Sequence, residues 1–153
     1  MHQIEPGGKL AVHADFNRHP RNGIDRRLNA LLYLNPDWRD EYGGHLQLWD
    51  RNMTKCEARI APLFNRMVVF STTDFSYHGH PDELTCPVGV TRKSLALYYY
   101  TNGRPKEEVS GEHSTLFRER PGEDLHDSWK ARMKEVARDC LPPIVTRTIS
   151  RYI

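Results

Sequence analysis

The sequence predicts a mainly β fold, a double-sheet jelly roll followed by one helix. Two observations carry this. Short alternating or apolar runs recur through the first two-thirds of the chain, each bounded by Gly, Pro, Asn or Asp. Only residues 124–140 carry a convincing helical period. About seven short strands with turn punctuation suit two packed antiparallel sheets better than a layered α/β fold.

Pro6-Gly7-Gly8 makes the first turn. Residues 9–15 then alternate, which puts Lys9, Ala11, His13 and Asp15 on one strand face. A polar loop over 16–26 holds Asn17, His19-Pro20 and Asn22-Gly23. Residues 28–34 read as a buried strand, ended by Asn35-Pro36-Asp37. Gly43-Gly44 marks a tight turn. Residues 45–49 alternate again, with Leu46 and Leu48 facing one way. Residues 55–60 and 67–70 are two further strands. The loop 72–77 leads to His78-Gly79-His80-Pro81, and a polar excursion over 82–91 follows. The next apolar strand is 94–100, with Arg92 at its opening.

Beyond Asn102-Gly103-Arg104-Pro105 the character changes. Residues 106–122 are polar and irregular. In the helix 124–140, Leu125, Trp129, Met133, Val136 and Cys140 make one apolar stripe. Glu123 and Asp124 suit its start, and Pro142-Pro143 stop it. The expected organisation is a jelly-roll core over 1–105 and an extension over 106–153 whose helix packs on that core.

Composition narrows the function classes. A chain of 153 residues suits one domain with a real core. With 22 basic against 20 acidic residues, nothing argues for nucleic acid or an anionic membrane surface. No apolar run approaches a membrane span, and Met1-His2-Gln3-Ile4-Glu5-Pro6 lacks signal-peptide character. The three cysteines, Cys56, Cys86 and Cys140, are odd in number and widely spaced. They form no CxxC, which argues against a zinc knuckle or a disulfide framework and fits a reducing cytoplasm.

The residues with chemistry are His13-Ala14-Asp15, then His78, then Arg92. Two histidines and one carboxylate can occupy one face of an octahedral Fe(II) and leave three positions open. On a strand, H-x-D puts both side chains on one face, close enough to chelate one ion. An isolated H-x-D is usually just a polar strand. Here order and context add weight, because a distal histidine follows an apolar strand and a basic residue opens the next one.

Five further segments carry a resemblance. Leu32-Tyr33-Leu34-Asn35-Pro36-Asp37-Trp38 is similar to a Y-L-N-x-x-W segment, and Gly43-Gly44-His45-Leu46 to the G-G-x-L after it. Ile60-Ala61-Pro62 and Arg66-Met67-Val68-Val69-Phe70 are similar to I-x-P and N-R-x-x-x-F elements. Arg92-Lys93-Ser94-Leu95-Ala96-Leu97-Tyr98-Tyr99 resembles an R-x-x-[IL]-x-[VL]-[WY]-[YF] strand. In this order, over residues 3–105, they resemble the 2-oxoglutarate/Fe(II)-dependent dioxygenases, within them the prolyl-4-hydroxylase-like branch.

The resemblance implies a hydroxylase of unactivated C–H bonds that uses Fe(II), 2-oxoglutarate and O2 and releases succinate and CO2. It admits ascorbate as an accessory reductant. The implied substrate is a prolyl residue in a protein, or a small molecule. His13, Asp15 and His78 become the metal ligands. Family spacing from Phe70 favours His78 over His80, which becomes either a pocket-wall group or one that supports the ligands from behind. Arg92 becomes the anchor of the 2-oxoglutarate distal carboxylate, for which a guanidinium fork is better suited than an ammonium. Lys93 would point to the opposite face. Tyr33 matches a tyrosine that bonds the same carboxylate, and Leu46 and Ala96 match pocket-lining positions. Relatives that halogenate replace the carboxylate with a small residue, so Asp15 favours hydroxylation. The expected pocket mouth is Asn17, Arg18, His19, Trp49, Arg51, Tyr77 and His80.

The resemblance also has gaps. The family has a helical region and at least one sheet strand before the H-x-D strand, whereas His13 lies a dozen residues from Met1. The expectation is a truncated domain lacking that helical part, or a sheet covered by a partner. Many prolyl hydroxylases carry a tyrosine near position 5, where this chain has Gln3, Ile4 and Glu5. Two other functions fit the same residues: a cupin-like metal enzyme not using 2-oxoglutarate, and a non-catalytic β-sandwich binding module.

Overall fold

The computed structural model describes residues 1–122 of the chain. The helix expected over 124–140, with its apolar stripe and its packing, lies outside the described residues. Met1–Pro121 form one compact unit.

Nine strands build the unit: β1 (His2–Ile4), β2 (Leu10–Ala14), β3 (Asp25–Tyr33), β4 (Leu46–Trp49), β5 (Cys56–Ile60), β6 (Met67–Ser71), β7 (His78–His80), β8 (Arg92–Thr101) and β9 (Leu116–Phe117). They make two antiparallel sheets, β1-β8-β3-β6 and β5-β4-β7-β2-β9. The first eight strands divide between the two sheets as in a jelly roll.

Three of the strands are shorter than any expected from the sequence. Residues 2–4 pair with β8, residues 78–80 join β4 to β2, and residues 116–117 pair with β2. A run of two or three residues shows no period of its own, so only pairing defines it. The strand β1 precedes the H-x-D strand, where none was expected. The strand β9 brings part of the polar stretch after residue 105 into the five-stranded sheet. Arg104, just before that stretch, donates to the Asn17 and Arg26 carbonyls and pairs with Asp25.

The interior between the sheets is unusually polar. His13, Arg26, Asn29, His78, His80, Arg92 and Ser94 are all buried. Two buried apolar clusters accompany them. One joins Val12, Ala14 and Tyr77, with Trp49, Met53 and Leu116 against them. The other joins Trp38, Leu84 and Cys86. On the four-stranded sheet, ladder pairing puts Leu28, Met67, Val69, Leu95, Leu97 and Tyr99 on the other face, where all six are exposed. Buried polar groups are costly unless they find partners, so the polar interior is where function is to be sought. No helix among the described residues is long and apolar enough to cross a membrane.

Candidate metal and co-substrate centre

His13 and His78 sit directly opposite each other in the β2–β7 ladder, with ring centroids 4.5 Å apart. Asp15 follows the end of β2. Its Oδ1 lies 3.7 Å from His13 Nε2 and its Oδ2 3.5 Å from His78 Nε2. One ligand atom from each residue falls within 4.8 Å of the others, a spacing that one metal ion can bridge.

The protonation of the rings follows from their outer bonds. His13 Nδ1 donates to the Ala11 carbonyl at 2.8 Å, and His78 Nδ1 to the Ser76 carbonyl at 2.9 Å. A carbonyl only accepts, so each Nδ1 carries the hydrogen and each Nε2 of a neutral ring presents a lone pair. Burial, then the neighbouring His13, pushes the His78 pKa down to about 4, which keeps that ring neutral near pH 7. With both rings neutral, two lone pairs and a carboxylate converge with no donor among them, and a cation satisfies all three.

Asp15 is held from behind. Asn29 Nδ2 donates to its Oδ2 at 2.6 Å, and Arg26 Nη2 lies 3.1 Å from the same oxygen. Arg26 also donates to Asn29 Oδ1 through Nε at 3.1 Å and Nη2 at 2.9 Å. The guanidinium lies over the Tyr98 ring at 4.0 Å and the Phe16 ring at 4.6 Å. Oδ1 is left turned toward His13. Phe70 packs on the His78 ring at 4.6 Å and Phe117 on the His13 ring at 5.6 Å.

Strict alternation would put Arg26 with Leu28 on the outer face of β3. A register shift between them pairs Arg26 with Tyr100 and Leu28 with Tyr99, which turns Arg26 inward. For this reason Arg26 escaped the sequence reading, and Asn29 escaped it as a single polar residue inside an apolar run. Phe117 escaped it because its strand is only two residues long.

Arg92 opens β8 and points inward with Ser94 and Ala96, while Lys93 takes the other face. Asn35 fixes this phase by gripping the Lys93 backbone. Its Oδ1 accepts the Lys93 N–H at 2.6 Å, and its Nδ2 donates to the Lys93 carbonyl at 3.1 Å. Arg92 Nε donates to the Gly44 carbonyl at 2.7 Å, and Nη2 lies 3.4 Å from the hydroxyl of the fully buried Tyr33. Desolvation lowers the Arg92 pKa and raises that of Tyr33. No carboxylate pairs with Arg92 among the described residues, which leaves a buried cation without a counter-ion.

The family model of the 2OG-Fe(II) oxygenase superfamily matches residues 1–128. The chain belongs to the 2OG-Fe(II) oxygenase superfamily. It is therefore a dioxygenase, and the cofactors of its family are Fe(II), 2-oxoglutarate and O2. No curated protein matches the chain.

The interior of this oxygenase fits those groups. The cluster of His13, Asp15 and His78 suits a cation, and Arg92, with no acidic partner among the described residues, suits an anion. Leu46 is buried on β4, and Ala96 is half-buried on β8 beside Leu31 of β3. His80 is buried two residues beyond His78, and neither ring nitrogen has a hydrogen-bond partner among the described residues. Burial, then the Arg92 charge and His13, holds its pKa well below the ordinary histidine value.

The expected pocket mouth needs correction. Asn17, Tyr77 and His80 are buried, not surface groups. Asn17 is drawn in by hydrogen bonds to Ser110 Oγ and the Gly111 carbonyl, and Tyr77 by packing on Val12 and Ala14. Of the expected mouth residues, Arg18 lines an open cleft of about 570 Å³ together with Phe16, Pro20, Glu112, His113 and Thr115.

Proposed function

We propose that this oxygenase hydroxylates an unactivated C–H bond of a prolyl residue in a protein or of a small molecule. Its ligands would be His13, Asp15 and His78. Arg92 and Tyr33 would hold the distal carboxylate of 2-oxoglutarate, with Leu46 and Ala96 lining its chain. The observation that carries this is the buried Arg92 guanidinium, which shares an interior with the triad and has no acidic partner among the described residues. A cupin-like enzyme without 2-oxoglutarate has no use for such a cation.

Fe(II), O2 and 2-oxoglutarate supply the oxidising power, and 2-oxoglutarate leaves as succinate and CO2. The chain's own part is positioning. The Nδ1–H bonds of His13 and His78 keep both Nε2 atoms available, and Arg26 with Asn29 keeps one Asp15 oxygen turned to the site. Arg92 orients the co-substrate from its far end. Asp15 itself supports hydroxylation over halogenation. The prolyl class rests on the five segments similar to prolyl 4-hydroxylases. Cys56 and Cys86, both unbridged, suit a reducing cytoplasm.

The test is succinate release from a panel of prolyl peptides and free amino acids, with the parent chain and Arg92→Ala. Turnover that needs 2-oxoglutarate and collapses in Arg92→Ala supports the proposal. Turnover indifferent to both would contradict it.

A further inference from the structure

His80 is the one buried imidazole near the triad with both nitrogens unpartnered among the described residues. Its place follows from the ladders. On β7, His78 and His80 are two residues apart and share a face, about 6.6 Å from each other along the strand. Across from them on β4, Leu48 pairs with His78 and Gln47 with Gly79, so Leu46 is the next inward neighbour, beside His80. Two residues before Leu46, the Gly44 carbonyl receives Arg92 Nε at 2.7 Å. A path from the triad to the guanidinium therefore runs past His80. A buried imidazole N–H left without an acceptor is destabilising. A carboxylate lying against Arg92 would remove that cost.

We propose that His80 is a third side-chain anchor for the co-substrate, donating a ring N–H to the distal carboxylate held by Arg92 and Tyr33. This rests on the 2-oxoglutarate reading above and gives His80 a defined role within it. The clamp would select dicarboxylates over 2-oxo acids that lack the second carboxylate.

The test uses the full chain loaded with Mn(II), which allows binding to be measured without turnover. Calorimetry gives Kd values for Mn(II), for 2-oxoglutarate and for 2-oxovalerate, which lacks the distal carboxylate. In His80→Leu the 2-oxoglutarate Kd should rise about tenfold, the loss of one charge-assisted bond. Mn(II) and 2-oxovalerate binding should be unchanged. His80→Gln keeps an N–H donor and should restore most of the affinity. A 2-oxoglutarate Kd within about twofold of the parent in both variants would overturn the proposal. So would an equal weakening of 2-oxovalerate, which reports pocket shape. A parent chain that binds Mn(II) but no 2-oxoglutarate would instead sink the underlying reading, and this proposal with it.

Discussion

Arg26 and Asp15 form a buried ion pair at 3.1 Å directly behind the His13–Asp15–His78 cluster. The pair holds Asp15 Oδ2, and Asn29 bridges the two side chains. The carboxylate therefore has a fixed orientation before any metal arrives.

Removing that support should loosen the metal site without touching a ligand. Arg26→Lys keeps the charge but loses the planar fork that reaches Asp15 and Asn29 together. Metal affinity should fall about 10- to 100-fold, as for other partners that orient a ligand. Asn29→Ala should have a similar effect through the loss of its bond to Asp15 Oδ2. Mn(II) titration of the two variants and the parent measures this.

Gly79 lies between the two inward histidines of β7, where the backbones crowd. A Cβ there would meet the Leu10 carbonyl oxygen at 2.8 Å and that of Ala11 at 2.9 Å. Ala11 is also the residue that fixes the His13 tautomer. Gly79→Ala should cost about 1–3 kcal/mol of stability by overpacking and should weaken metal binding. Gly111→Ala, with nothing within 4 Å of its added Cβ, should stay within about 0.5 kcal/mol of the parent. Denaturant melts compare them.

Gly44 makes the matching argument for the co-substrate end. Its φ is +67°, and a Cβ would sit 2.5 Å from Leu84 Cδ2 and 2.8 Å from Arg92 Cδ. Gly44→Ala should push Arg92 aside and raise the Kd for 2-oxoglutarate about tenfold, the scale of one charged hydrogen bond. Mn(II) affinity should barely change. That split separates an effect on the anion end from general unfolding.

How much of this was legible in the sequence follows from local backbone geometry. The inward phase of Arg92 against Lys93 could be read because β8 alternates over ten residues. The convergence of His13, Asp15 and His78 was suggested by motif order, but the sequence did not reveal that His78 lies on a strand, because β7 has only three residues. On β2 a register shift lets Leu10 oppose His80 and His13 oppose His78, which simple alternation does not anticipate. The same device on β3 hid Arg26. Asn17 and Tyr77 read as polar loop residues because their partners, Ser110 and Gly111 for one and Val12 and Ala14 for the other, are distant in sequence. Where a strand is long and regular the side-chain direction is written in the period. Where a bulge or a two-residue pairing sets it, only the folded neighbour decides.

The most direct test of the account is an anaerobic titration of the full chain with Fe(II) and then 2-oxoglutarate, read as the visible metal-to-ligand charge-transfer absorption. The band should appear only when both are present, vanish in His13→Ala, and need far more 2-oxoglutarate in Arg92→Ala. A parent chain without the band, or a band unchanged in His13→Ala, would contradict a metal and co-substrate centre built on these residues.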